Sequence, residues 1–279
     1  MWNRDFPAGR GPWQAPPVPL ALRSPMLENA GFTHGFSLRT GGASAGGFAS
    51  LNLGRGLGDD SVNVEENHRR FAASVGYPAG RLFEVTQVHG VAVRVVRSGD
   101  APDAVRAEPA DALVSAVSGA VVGVRVADCL PLLLADVRTG AVAAVHGGWR
   151  GVAASIVARA VEALVAGGSH PDDLRAAIGP HIRPCCFEVG EEVVAALERV
   201  AEGASFVAAG GARGTPHVDL AAVVAAQLHA LGVEAAHRDD TGGCTRCEAA
   251  RFYSFRRDGA ASGRHLAAIA VFSGGAPRG

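Results

Sequence analysis

The chain has 279 residues, 26 basic and 27 acidic side chains and a formal charge of −1. Apolar residues make up 48% of it and charged ones 19%, which suits a sizeable core and excludes a wholly disordered chain. Near-neutral charge argues against a nucleic-acid binder that neutralises phosphates broadly, and an aromatic share of 6% argues against base-stacking platforms. Every basic residue is arginine, so a Schiff-base lysine, a phosphate-loop lysine and a lysine general base are excluded.

Residues 1–25 hold six of the 15 prolines and predict a loose extended tail, which Trp2 or Trp13 could pin. The tail lacks the apolar core of a signal peptide. Strand patterns follow over 82–96, 111–117, 121–127, 130–135, 141–146, 174–178, 252–256 and 266–272. Helical spacing of apolar residues falls over 152–166, 190–199 and 219–231. Close-set strands without regular helix alternation predict a mixed α+β architecture, with 26–273 as one domain and 274–279 as a second tail. Pro131 belongs near the start or edge of its strand. The most apolar stretch, 121–135, is broken by Arg125 and Asp128, so no membrane span is expected. Five cysteines are an odd number in a long chain, which reads as reduced thiols in the cytoplasm, not a secreted disulfide framework.

Metal-competent side chains beside glycines or sharp turns occur in Gln87-Val88-His89-Gly90, Asp128-Cys129-Leu130-Pro131 and His146-Gly147-Gly148-Trp149-Arg150-Gly151. The runs 130–135 and 141–146 read as a hairpin. Pairing Ala135 with Ala141 sets Cys129 beside Gly147, whereas pairing Leu134 with Ala141 sets it across from His146 on one face. Two neutral imidazoles and a thiolate suit zinc, and three protein ligands leave a fourth position open, as catalytic sites do. Copper also accepts nitrogen and sulfur ligands. The ordinary reading of an isolated histidine or cysteine in an apolar strand is a packed core residue.

Gly147–Gly151 leads into a predicted helix and carries Arg150, an arrangement suited to an anion. Arg39-Thr40-Gly41-Gly42-Ala43-Ser44 could form a phosphate nest, although each segment could equally be a tight turn. Cys244-x-x-Cys247 alone is a weak signal, and Cys185-Cys186 lacks the spacing of a second zinc pair, so these thiols read as incidental.

Taken in order, Arg39-Thr40-Gly41-Gly42, Ser50-Leu51-Asn52-Leu53-Gly54, Gln87-Val88-His89-Gly90, Ala127-Asp128-Cys129-Leu130-Pro131 and His146-Gly147-Gly148-Trp149-Arg150-Gly151 resemble the bacterial laccase-domain family. That family is also described as polyphenol oxidases, purine nucleoside phosphorylases and peptidoglycan editing factors. Ile178-Gly179-Pro180, Phe187-Glu188-Val189-Gly190 and Tyr253-Ser254-Phe255-Arg256-Arg257-Asp258 extend the resemblance to about Phe272. Gly147 departs mildly, since alanine is common there.

The resemblance implies an α/β/β/α sandwich related in architecture to cysteine hydrolases. It implies a zinc site at His89, Cys129 and His146, with copper as the other candidate ion. It also implies phosphorolysis of adenosine, inosine and methylthioadenosine, with adenosine deamination. Catalytic roles fall on His89, Cys129 and His146, and substrate or phosphate binding on Arg39, Asn52, Gln87, Asp111 and Arg150. The expected partners are a purine nucleoside and phosphate. Zinc deaminases also use a proton-shuttling carboxylate, for which Asp111 and Asp128 are candidates. Rival readings are a Cys129/His146 hydrolase that edits peptidoglycan precursors, a copper-dependent polyphenol oxidase, and a folded interaction protein braced by its metal.

Overall fold

In the computed structural model, which describes residues 19–208 and 214–271, the strands build two large sheets. In chain order the strands are β1 (Ala21–Leu22), β2 (His34–Ser37), β3 (Leu82–Phe83), β4 (Val93–Val96), β5 (Ala112–Ser115), β6 (Val121–Val126), β7 (Leu130–Asp136), β8 (Val142–Gly147), β9 (Leu174–Ile178), β10 (Val207–Ala208), β11 (His217–Val218), β12 (Arg238–Asp240) and β13 (His265–Ala270). The helices are α1 (Pro25–Asn29), α2 (Ser61–Val75), α3 (Pro102–Arg106), α4 (Trp149–Ala153), α5 (Ile156–Ala166), α6 (Glu191–Glu198), α7 (Leu220–Ala230) and α8 (Phe255–Asp258). One sheet runs β1-β2-β13-β6-β3, the other β12-β9-β7-β8-β5-β4, and β10 pairs with β11 apart from both.

Strand β7 shows how the layers arise. All of its residues are buried, because both of its faces are covered. Leu130, Leu132 and Leu134 point one way, into a core shared with Ile156, Ala160 and Leu164 of α5 and Val223, Val224 and Leu228 of α7. Leu133 and Ala135 point the other way and meet Phe36, Val122, Val124 and Ile269 of the opposing sheet. That second sheet turns Leu266 and Ala268 outward against Phe71, Ala72 and Val75 of α2. The order is therefore helix, sheet, sheet, helix, with side-chain alternation serving three apolar layers. No helix among the described residues is long and apolar enough to cross a membrane.

Several expectations are corrected. The 82–96 run is two strands, β3 and β4, because the loop bearing His89 interrupts it. The 252–256 run is not a strand: Phe252 and Tyr253 plug the core just before α8, with the Phe252 N–H donating to Glu248 O. The 152–166 helix is two helices, divided where Ser155 takes a left-handed conformation (φ 69°). Ala21 and Leu22 pair with Ser37 and Phe36, so the segment read as tail already enters a sheet. Ser24 and Pro25 of that segment cap and open α1, while residues 1–18, with Trp2 and Trp13, and the 274–279 tail lie outside the described residues.

Helix α2 escaped the apolar pattern because its sequence is polar. Asp60 caps it by accepting from the Val62 N–H at 2.8 Å, and Gly76 ends it with a φ of 100° that suits glycine. Its inner face includes the buried polar residues Asn67 and His68, and Asn67 bonds Ala43, Ser44 and Asn52.

Candidate metal centre and its cavity

The β7–β8 hairpin takes neither expected register. Leu130 pairs with Gly147 and Pro131 with His146, while Asp136 joins the strand by bonding Ala141 O at 2.8 Å. The Asp136 carboxylate accepts from the N–H groups of Arg138 and Thr139, which tightens the turn. Cys129 is consequently not opposite His146. It lies two residues before Pro131, diagonal to His146. Pro131 is the second residue of an interior strand, a start and not an edge.

The donor atoms of His89, Cys129 and His146 all lie within 4.8 Å of one another. Cys129 Sγ is 3.8 Å from His89 Nε2, and the two imidazoles sit edge to face with centroids 4.7 Å apart. Zinc bonds of about 2.0–2.3 Å in a tetrahedron require donors roughly 3.3–3.8 Å apart, so this set can close on one ion with small adjustments. Among the described residues no fourth His, Cys, Asp or Glu joins the cluster. A Cβ on Gly148 would stand 2.9 Å from His89 Cδ2 and 3.5 Å from Cys129 Sγ, so the missing side chain keeps room for the donors to converge.

Asp111 organises this geometry from behind. It is fully buried, and its Oδ1 lies 2.7 Å from His146 Nδ1. An ionised carboxylate only accepts, so Nδ1 carries the proton and Nε2 is left as the ligand nitrogen. The same carboxylate accepts from the N–H groups of Val88, His89 and Gly90 at 3.2, 2.9 and 2.7 Å. These bonds hold His89 in a left-handed conformation (φ 59°) that non-glycine residues rarely adopt.

The charges fit a cation site. Burial pushes the Asp111 carboxyl up, but His146 and the Gly90 and His89 N–H groups outweigh it and hold the group below its ordinary range. Burial likewise pushes the Cys129 thiol up, yet His146 and His89 bring it down to about 6. Burial depresses His146, and Asp111 and Cys129 raise it to about 9. Both shifts favour pairing of a Cys129 thiolate with a His146 imidazolium.

The three donors line a cavity of about 680 Å³. Six arginines reach it: Arg55, Arg106, Arg125, Arg150, Arg256 and Arg264. Buried Glu84 draws in Arg55 at 2.7 Å, Arg125 at 3.4 Å and Arg106 at 3.9 Å. Arg150, Arg256 and Arg264 instead lie over the rings of Trp149, Phe187 and Phe255 and make no ion pair among the described residues. Asp128 is the one carboxylate in the lining, and both its oxygens are engaged, by Thr245 Oγ1 and by the Arg256 N–H, each at 2.6 Å.

Gln87 and Arg150 line the cavity, but Arg39 and Asn52 do not. The Gln87 carboxamide is tied at both ends to the Arg125 backbone, at 2.7 Å each. Arg39 serves a neighbouring loop, donating to Ala49 O at 2.6 Å and lying over the Tyr253 ring. Asn52 is fully buried and accepts from the Gly54 and Arg264 N–H groups, so it positions the Arg264 backbone from outside the cavity. Asp111 stands behind the imidazoles and is not free to shuttle protons. The lining arginines Arg55, Arg106, Arg125, Arg256 and Arg264 were missed as site residues. Arg251, Arg256, Arg257 and Arg264 fall close together in the sequence, a pattern that by itself reads as internal ion pairs or a solvated face.

A four-layer sandwich carrying an open His–Cys–His cluster in an arginine-rich cavity defines the class. The chain belongs to the family described as multi-copper polyphenol oxidoreductase laccase, whose model matches residues 33–272. It is 40% identical over 258 residues to a purine nucleoside phosphorylase of Deinococcus radiodurans, covering 92% of this chain and 94% of that one. It is 37% identical over 228 residues to adenosine deaminase RL5 from an unknown prokaryotic organism, covering 80% of this chain and 87% of that one. The crystal structure of YlmD from Geobacillus stearothermophilus superposes with a TM-score of 0.82 at 33% identity, covering 91% of this chain and 99% of that one.

Proposed function

We propose that the protein is a metal-dependent purine nucleoside phosphorylase, cleaving adenosine, inosine and methylthioadenosine with inorganic phosphate, and that it deaminates adenosine as a second activity. The observation that carries this reading is the open His89–Cys129–His146 set in the wall of a cavity that also holds Arg150, Arg256 and Arg264. The names of the relatives point to the same chemistry. The free thiols fit a cytoplasmic enzyme.

A zinc ion held by these three residues would supply Lewis acidity and a hydroxide source near neutral pH. Zinc is favoured over a multi-copper system because, among the described residues, only this cluster combines histidine donors. Asp111 holds the Nδ1 proton of His146 and fixes the His89 loop. Arg150, Arg256 and Arg264 offer donors to phosphate and to the charge it carries toward C1′. The rings of Trp149, Phe187 and Phe255 offer apolar faces to the base and ribose. In phosphorolysis a phosphate oxygen bonds C1′ as the C1′–N9 bond breaks, and the bonding pair leaves with the purine. Phosphorolysis leads because deamination needs a proton carrier, whereas Asp111 and Asp128 both have their oxygens engaged.

The lowered Cys129 thiol beside His146 favours one second reading, a cysteine hydrolase acting on a peptidoglycan precursor. Stoichiometric metal on Cys129 would remove it. The test of the leading reading is product analysis with purified protein and each of the three nucleosides, with and without phosphate. Expected is free base plus ribose-1-phosphate, or its 5-methylthio derivative from methylthioadenosine, dependent on phosphate and lost in Cys129→Ala. Release of free base without phosphate, or an undiminished rate of phosphorolysis in the variant, overturns it.

A further inference from the structure

The spacing of Cys185, Cys186, Cys244 and Cys247 reads as buried or incidental thiols, yet the fold brings the four together. Their four sulfurs lie within 4.8 Å of one another. Cys247 Sγ is 3.1 Å from Cys186 Sγ and 3.6 Å from Cys185 Sγ. Zinc–sulfur bonds of about 2.3 Å place tetrahedral thiolates roughly 3.8 Å apart. A disulfide needs about 2.05 Å, and all four cysteines are free. A cubane iron–sulfur cluster would need more space between its ligands than this grouping leaves.

The surroundings suit bound thiolates. Two turns carry the sulfurs, and they are stitched together by the Thr245 N–H donating to His181 O at 3.1 Å and by Arg183 donating to Gly243 O at 3.3 Å. Within the second turn the Cys244 N–H donates to Glu248 Oε1 at 2.8 Å. Arg246 lies in the second turn, between Cys244 and Cys247, so a cation stands in the same turn as two of the thiols. Four thiolates around a dication carry a net charge of about −2, and the nearby Arg246 would offset part of it.

We infer that Cys185, Cys186, Cys244 and Cys247 bind one tetrahedral thiophilic dication of the zinc class, as a closed structural site separate from the His89–Cys129–His146 centre. Binding replaces the thiol protons, which pass to solvent, and changes no oxidation state. With four protein ligands the ion has no open position and takes no part in turnover. Its place explains its use. Cys186 adjoins Phe187, which lines the cavity, and Cys244 adjoins Thr245, whose hydroxyl holds Asp128 next to Cys129. One ion would thus tie together two loops that wall the cavity.

The test counts zinc and maps thiols in the full chain purified under reducing conditions. Expected are two zinc ions per wild-type chain and one in a His89→Ala/Cys129→Ala/His146→Ala variant. Cobalt(II) bound to that variant should show the intense charge-transfer and visible bands of a tetrathiolate site. Wild-type protein needs no substitution for the second arm. Alkylation of these four cysteines, mapped by mass spectrometry, should slow at least tenfold with zinc bound and recover when a chelator strips it. Alkylation at the rate of free cysteine whatever the metal load, disulfides among the four in protein purified with reductant, or no second zinc would each overturn the inference.

Discussion

His146 Nδ1 and Asp111 Oδ1 are 2.7 Å apart, and Asp111 also accepts from three consecutive N–H groups of the His89 loop. One buried carboxylate therefore orients both imidazoles of the candidate metal centre. Asp111→Asn keeps the shape but places two N–H donors where four donors already point. Zinc affinity at this centre should fall about 10- to 100-fold, the usual cost of losing such a supporting contact. Competition with a chromogenic chelator measures it, and unchanged affinity would show that the carboxylate orients nothing.

Gly148→Ala should act on the same centre from the front. The new Cβ would sit 2.9 Å from His89 Cδ2, so the ring has to move. Gly148 has a φ of −68°, which alanine adopts without strain, so the melting temperature should hardly change. Expected is a loss of zinc and of turnover of at least tenfold. Full occupancy in the variant would mean that the loop yields freely.

The arginines separate into two classes. Arg256→Ala with Arg264→Ala removes two guanidiniums that lie over aromatic rings at the cavity. The KM for phosphate should rise at least tenfold, with a smaller effect on the KM for nucleoside. Arg39→Ala should leave the phosphate KM within about twofold and instead cost about 1–2 kcal/mol of stability, because the Ala49 and Ala249 carbonyls lose their donor. Steady-state kinetics and urea titration distinguish the two. A phosphate defect in the Arg39 variant alone would move the anion site.

Acid stability should carry the mark of buried neutral histidine. Burial pushes His265 down to about 3, and its Nε2 accepts the Tyr253 N–H at 2.7 Å. The unfolded imidazole protonates near 6.5, so between about 6.5 and 3 the unfolded state binds more protons. The contribution is whole above 6.5 and is lost as pH falls through that window, on the order of a few kcal/mol by pH 4. Urea midpoints measured from pH 7 to 4 should fall, and less steeply in His265→Gln. Equal slopes would mean that the histidine is protonated in the folded state.

Close-set apolar runs without regular helix alternation made the mixed α+β class legible, whereas the four-layer order rested on the family resemblance. The metal-binding residue types were also visible, since His89, Cys129 and His146 each sit beside a glycine or a sharp turn. The register was not visible. Whether Asp136 extends the strand depends on its carboxylate bonding Arg138 and Thr139, a side-chain effect that no apolar pattern records. Helix α2 was hidden because its inner face uses Asn67 and His68 to bond loops, where pattern reading expects apolar residues. Arg39 sits in a segment that looks like a phosphate nest and Asn52 in a motif of the family, yet their donors are consumed within the fold. The four-cysteine cluster was hidden for a different reason: its members come from turns about sixty residues apart, and only the packing of those turns joins them.

The most direct measurement follows ribose-1-phosphate by phosphorus NMR from adenosine and phosphate as the His89–Cys129–His146 centre is emptied and refilled with zinc. Product formation should track occupancy of that centre, vanish in the emptied protein and return on zinc addition, with His146→Ala silent throughout. Product formed at full rate by the emptied protein, or by His146→Ala, would contradict a reaction centred on those three side chains.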